Sequence, residues 1–308
     1  MAFTLNMTAA VDVDDSLILE FDQQFIVASG QENVLDQFAT KRMSIGAVSI
    51  QLAKYPRLAL NTAPLAEADD VDSVKLSDTQ IKLTPAEHGM VVTTTALANL
   101  QSGGTADRAA ARLVGIHLSQ LTDRLGCEAL DASANVSGPG GVAEASLAAS
   151  DVVTASYLNE LYNKLARRSV QPNANGLYSF IAHDDVIHDL RNDAGSNSWT
   201  EISKHQKSED VLKNEVGQLA GFSIVRDNLS TLTADGGAAT VDSYRSYAMG
   251  FNALGKAESQ PSQMVISGPF DKLARFANIG WKGTMAYKII DQDALELAVS
   301  ASSVGANV

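Results

Sequence analysis

The chain reads as an α+β protein, and two observations carry that reading. A mainly apolar stripe, Leu113, Val114, His117, Leu118, Leu121, Leu125 and Leu130, keeps helical spacing over about six turns and predicts one helix longer than any other element. Strands gather late in the chain: Tyr247 to Leu254 carries no charge, and Ala294 to Val299 carries only Glu296. There is no fixed-period repeat and no regular alternation of strand and helix, which argues against a parallel α/β sheet.

With 308 residues and 45% hydrophobic content, the chain can bury a substantial core as one large domain or two modest ones. No apolar run is long enough for a membrane helix, and the start, Met1-Ala-Phe-Thr-Leu-Asn6, lacks the basic and apolar regions of a signal peptide. The sequence therefore predicts a soluble, unexported protein with no membrane partner. The lone cysteine, Cys127, excludes an intrachain disulfide, and its place in the long helix reads as a buried apolar side chain in a reducing or redox-indifferent compartment. A net charge of −13 without clustered Lys and Arg argues against a direct grip on nucleic acid. It suits a container whose wall does not stick to its contents as well as it suits an ordinary enzyme.

Taken in order, Leu17, Ile18, Phe21, Phe25 and Ile26 follow an acidic start at Asp12 to Asp15 and predict a short amphipathic helix, packed on its own domain or laid as an arm on a neighbouring subunit. A helical turn follows at Val34 to Phe38. Alternation predicts a strand from Val48 to Ala53, ended by Tyr55-Pro56, and a second from Lys75 to Leu83. The acidic stretch between them, Pro64 to Ser73, is too long for a tight turn, so the segment reads as a protruding hairpin with Glu67, Asp69, Asp70 and Asp72 at its tip. β-Branched residues predict a third strand from Met90 to Thr95.

Thr105 reads as the N-cap of the long helix, and Ser133 to Gly141 as a flexible connector and domain boundary. Thr154 caps a second helix with Leu158, Leu161, Tyr162 and Leu165 on one face, stopped before Pro172. A strand from Leu177 to His183 and a short helix through Val186, Ile187 and Leu190 follow, then a polar surface loop from Arg191 to Asp210. Strands at Phe222 to Arg226 and Tyr244 to Leu254 complete a small sheet. Beyond it come an acidic patch, a short helix, the stretch Asn278 to Ile290 and the closing strand.

Tests for chemistry come out negative. Gly250-Phe-Asn-Ala-Leu-Gly-Lys-Ala257 matches a phosphate loop in its glycines and lysine, but Ala257 lacks the hydroxyl that would bind magnesium, and Pro261 lies where a helix must follow. On this reading Lys256 is dispensable. His183 and His188 have no third ligand at metal-site spacing, and Asp184, Asp185 and Asp189 read as capping and solvating a surface helix. His117 reads as a packed, hydrogen-bonded side chain. Asp12, Asp14 and Asp15 lack the glycine and terminal Glu of a calcium loop. No catalytic, cofactor-binding or metal site is predicted.

The order of elements, with Glu215-Val-Gly-Gln-Leu-Ala-Gly221 and Ile279-Gly-Trp-Lys282, resembles the Hong Kong 97-type major capsid proteins of tailed bacteriophages over nearly the whole chain. The resemblance implies an N-terminal arm (1–47), an extended loop (48–96), a peripheral domain with a spine helix (97–130 and 259–290) and an axial domain (131–258 and 291–308). It implies a non-enzymatic protein that self-assembles into hexamers and pentamers of an icosahedral head shell around double-stranded DNA. Such a protein resides in the virion after assembly in the host cytoplasm. The implied partners are other copies of the chain, a separate scaffold protein, a portal and a decoration protein. Glu67, Asp69, Asp70, Asp72, Phe21 and Phe25 are then candidate assembly contacts. Lys75 or Lys82 would suit an intersubunit cross-link, but no acceptor is marked. The alternatives are an encapsulin-like compartment, which shares the fold, and a soluble cytoplasmic enzyme with dispersed catalytic residues; the enzyme predicts a small species, the two shells very large particles.

Overall fold

The computed structural model describes residues 33–60, 62, 64, 70, 73–101, 105–193, 215–269, 271–273 and 275–304. The predicted arm helix and most of the hairpin tip lie outside these, as does nearly all of the predicted surface loop. Among the described residues, strands form a seven-stranded, a four-stranded and a two-stranded sheet.

The seven-stranded sheet is built from β5 (Val136–Ser137), β6 (Tyr178–Ala182), β7 (Glu215–Leu219), β8 (Phe222–Arg226), β9 (Leu232–Thr233), β10 (Ser243–Met249) and β13 (Leu295–Ser300). Its central strands are buried on both faces, which explains their near-continuous apolar sequence. Period-two alternation sorts the side chains. Phe180, Phe222, Ile224, Tyr244 and Ala298 meet the helices α3 (Ala155–Arg167) and α4 (Asp184–Asn192), through Leu158, Leu161, Leu165, Val186, Ile187 and Leu190. On the other face Ile181, Val225, Tyr247, Leu295, Leu297 and Val299 meet Leu35, Cys127, Leu130 and Leu147. Thr154 caps α3 as expected, its side chain accepting from the Tyr157 amide at 3.3 Å. His183 rather than an acid caps α4, its Nδ1 accepting from the Asp185 amide.

The four-stranded sheet has the order β1 (Thr40–Met43), β11 (Leu254–Ser267), β12 (Phe276–Ile289), β4 (Ala86–Thr95). One face carries the long helix α2 (Thr105–Asp131), whose Ala111, Val114 and Leu118 pack on Ile279, Trp281 and Met285. His117 accepts from Trp281 Nε1 at 3.2 Å, in keeping with its predicted structural role. A short helix, α1 (Ala96–Gln101), precedes α2; the sequence reading missed it because six residues show too little periodicity.

Three expectations are corrected. The short helix expected after the acidic patch is absent among the described residues: β11 continues for 14 residues, with Met264 and Ile266 turned toward α2. Its Pro261 is accommodated because register shifts between Glu258 and Gln263 relieve the ladder where proline has no N–H to offer. The connector from Ser133 to Gly141 is not merely flexible, since β5 within it pairs in parallel with Leu297 and Ala298, and Tyr157 donates to the Ser137 carbonyl at 2.6 Å. Asp189 does not solvate a surface helix; it is buried and accepts from the Ser303 amide at 2.9 Å and from the Ser303 hydroxyl.

The stretch Glu215 to Gly221 has a local reason for its composition. The two residues between β7 and β8, Ala220 and Gly221, have φ of 51° and 83°, the paired positive values that a type I′ hairpin turn demands. A Cβ on Gly221 would lie 2.6 Å from the Tyr162 ring. Gly221→Ala is expected to destabilise the fold by about 1–3 kcal/mol through backbone strain and that clash, whereas Ala220→Asn, which suits the left-handed region, is expected to gain about 0.5 kcal/mol in chemical denaturation.

Candidate assembly surfaces

The predicted hairpin is present but is made differently. Its paired stem is β2 (Ile50–Lys54) with β3 (Thr79–Leu83), five residues on each side. A two-stranded ladder of that size is marginal alone in water. It is held to the body at its base: Leu83 is buried, Lys54 pairs with Asp291 at 2.6 Å, and Lys288 Nζ donates to the Lys82 carbonyl at 3.1 Å. Beside the stem a cleft of about 420 Å³ contains Lys54, Arg57 and Arg168 facing Asp291 and Asp293. Lys54 is spent on Asp291, and Arg168 on Glu296 at 2.7 Å, so the cleft is a seam where the hairpin rests on the body.

The segments that flank the stem strands in sequence expose apolar side chains to an unusual degree. Met43, Ile45, Val48, Tyr55, Leu58, Leu60, Val74 and Leu76 are between 59% and 89% exposed. Each such side chain stabilises by about 1.5–3 kcal/mol when buried, and their concentration in one segment marks a surface meant to be covered. Of the six candidate contact residues, Asp70 is described and exposed; Glu67, Asp69, Asp72, Phe21 and Phe25 lie outside the described residues. The sequence reading placed its weight on the acidic tip and overlooked these apolar flanks, although Tyr55, Leu58 and Leu60 lie within four residues of Pro56, outside any amphipathic element.

The segment leading into β1 is fastened to the body by two clusters. In the first, Lys256 lies between Asp36 at 2.7 Å and Glu258 at 2.6 Å, while Asp36 also accepts from Tyr287 at 3.1 Å and pairs with Lys41. Burial opposes ionisation of Asp36, yet the Lys256 ammonium, with hydrogen bonds from Lys256 and Lys41, holds its carboxyl below the usual range. Burial likewise works against the Lys256 charge and is outweighed by Asp36 and Glu258. This overturns the view of Lys256 as dispensable. Its ammonium is committed to Asp36 and Glu258, in a strand paired in parallel with β1, and is not presented to a phosphate.

In the second cluster the buried Asp123 of α2 accepts from the amides of Val34 and Leu35 at 2.9–3.0 Å. Burial, reinforced by the nearby charges of Asp227 and Asp36, raises its carboxyl to about 7 against the lowering effect of those amides. Asp227 in turn accepts from the buried Cys127 thiol at 3.7 Å, and burial pushes that thiol up, so the cysteine is the inert core residue the sequence suggested. Among the described residues, no group of three or more His, Cys, Asp or Glu side chains is placed to hold a metal ion, and no helix is long and apolar enough to cross a membrane.

No protein-family profile and no curated protein sequence matches the chain. Solved structures do. The capsid of Ralstonia phage GP4 superposes with a TM-score of 0.74 at 12% identity, over 89% of this chain and 92% of that one. The Cyanophage Pam1 capsid gives 0.65 at 12% identity over 84% and 86%. A virus-like particle from Pyrococcus furiosus gives 0.52 at 12% identity over 92% and 99%. The fold is one this chain shares with two phage capsids and a virus-like particle. More narrowly, it is the Hong Kong 97-type fold of tailed-phage major capsid proteins, as the order of elements in the sequence implied.

Lys256→Ala is expected to destabilise the protein by about 3 kcal/mol, because it takes the counter-charge from the half-buried Glu258 and leaves Asp36 with the exposed Lys41 alone. Denaturant titration checks this; an unchanged midpoint would return Lys256 to the surface. Because the Asp123 carboxyl in the folded state lies above its unfolded value of about 3.9, its contribution is fully present below that value and is lost as pH rises through about 7. Amide exchange at Val34 and Leu35, corrected for the intrinsic rate, should accordingly lose protection between pH 6 and 8, and Asp123→Asn should flatten that dependence.

Proposed function

We propose that this chain is the major capsid protein of a tailed phage. Copies assemble into hexamers and pentamers of an icosahedral head shell that encloses double-stranded DNA, and the protein resides in the virion after assembly in the host cytoplasm. The observation that carries the proposal is the set of exposed apolar side chains flanking the β2–β3 stem in sequence, on a chain with the phage capsid fold. A lone subunit leaves them in water, and a neighbour in a closed shell covers them, with each modest contact repeated around the particle.

Within this reading, residues 1–47 serve as the arm and 48–96 as the extended loop. Residues 97–130 with 259–290 form the peripheral domain and 131–258 with 291–308 the axial domain. Glu67, Asp69, Asp70 and Asp72 meet basic groups of the adjoining copy. The net charge of −13 keeps the wall from gripping the enclosed DNA. A scaffold protein, a portal and a decoration protein are the further partners, and the role is structural rather than enzymatic. An encapsulin-like compartment is the second reading, favoured by the likeness to the Pyrococcus furiosus particle at a lower TM-score.

Lys54 and Thr79 are directly paired, so residues 55–78 can be replaced by a two-residue Asn-Gly turn without disturbing the stem. That variant is expected to fold, by circular dichroism, and to give no particles by electron microscopy or light scattering, alone or with its scaffold. Neutralising the four acidic tip residues should only reduce particle yield, since exposed ion pairs contribute at most about 1 kcal/mol each. Full particle yield from the loop-replaced chain would refute the proposed role of the loop, and a wild-type chain that stays monomeric under every assembly condition would refute the shell.

A further inference from the structure

Two serines interrupt the apolar pattern of the seven-stranded sheet at one spot. Ser179 of β6 and Ser223 of β8 are direct partners in the parallel ladder, and both are buried. They share a face with Ile181 and Val225, the next partners on that side, whose large side chains fill their part of the core. Where the serines stand that filling stops, and they line a pocket of about 250 Å³. The buried Ser223 hydroxyl has no hydrogen-bond partner among the described residues, whereas buried polar groups are nearly always paired. Packing does not account for it, since a valine would suit this face better.

Three segments complete the pocket. Residues 173–177 turn from α3 into β6, closed by Gly176 at φ 74°, whose amide donates to the Asn173 carbonyl at 2.8 Å. Asn252, left-handed at φ 60°, lies between β10 and β11, and residues 37–40 lead into β1. Thr40 Oγ1 donates to Asn252 Oδ1 at 2.7 Å, which leaves Asn252 Nδ2 to donate elsewhere. Asn173 Nδ2 donates to Ser179 Oγ at 2.7 Å, which leaves Asn173 Oδ1 to accept. The side-chain amides of Gln37 and Asn175 line the same space, and Phe38 and the half-exposed Phe251 supply its apolar part. None of the described lining residues carries a charge.

We propose that this pocket binds one neutral sugar ring. Side-chain amides and hydroxyls both donate and accept, as the hydroxyls of a sugar do, and the two phenyl rings offer apolar surface to its C–H groups. The lining holds no cation for a phosphate or carboxylate and no anion for an ammonium. The volume lies just below the range of roughly 300–1,000 Å³ that drug-sized ligands occupy, which suits a single ring. The site stands apart from the shell reading, because it is formed within one chain.

Saturation-transfer NMR on the full-length protein tests this, with glucose and N-acetylglucosamine as probes and with glucose 6-phosphate and adenosine for comparison. Transfer to at least one neutral sugar is expected, with both comparison compounds binding more weakly. Phe251→Ala combined with Asn175→Ala, both at exposed positions, should weaken the sugar roughly tenfold while circular dichroism is unchanged. Ser223→Val, which fills the pocket from the sheet side, should weaken it independently. Absence of transfer to either sugar would overturn the proposal. So would wild-type binding by the variants, which would place the sugar elsewhere, or binding of adenosine or the phosphate as tight as that of the better sugar, which would change the ligand class.

Discussion

Both large sheets depend on one helix. The 27 residues of α2 extend about 40 Å, and two different faces of that rod are used. Val114 and Leu118 close the four-stranded sheet, while Cys127 and Leu130 close one face of the seven-stranded sheet. Neither sheet has another helix to cover those faces among the described residues. A rotation or shift of α2 would open both cores at once, so the relative placement of the sheets is coupled to the register of a single helix. Asp123 sits between the two halves of this rod, and its bonds to Val34 and Leu35 tie the entering chain to the same element.

Charge is managed by pairing rather than by exclusion. Lys256 and Glu296 are two nearly buried ions of opposite sign in neighbouring parts of the fold, and each is met by two counter-ions: Asp36 and Glu258 for the lysine, Lys164 and Arg168 for the glutamate. Burying an ion is costly unless its partners are already in place. Both sites therefore reward the native arrangement over near alternatives, because a slipped strand would leave one of these charges alone. Such devices favour accuracy of folding over raw stability.

What was legible in the sequence was what local periodicity encodes. The stripe of α2, the Thr154 cap and face of α3, the strand β6 and the role of His117 all follow from residues close together in the chain. What was not legible depends on pairing across long separations. The strand β5 looked like a Gly-rich connector because its partner β13 lies some 160 residues away. Pro261 concealed β11, since only the bulged register opposite β12 makes a proline tolerable there. Lys256 resembled a phosphate-loop lysine until Asp36, 220 positions earlier, was found beside it. At the hairpin, the sequence showed where the chain leaves the body but drew attention to the acidic tip. The exposure of Leu58, Leu60, Val74 and Leu76 emerges only once the rest of the fold is seen to leave them no cover.

The parallel pairing of β1 with β11 has a mechanical consequence. Thr40 to Met43 run in register beside Gly255 to Glu258, in the same direction, and β11 is itself locked to β12 over most of its length. A pull on the segment before β1 along the strand axis therefore loads the β1 ladder in shear, with its bonds strained together, and does not peel them one by one like a zipper. The Lys256 bridge to Asp36, just upstream of the ladder, shares the same load. A load along this line would meet the stiffest resistance, and a sideways tug on the same four residues would find far less.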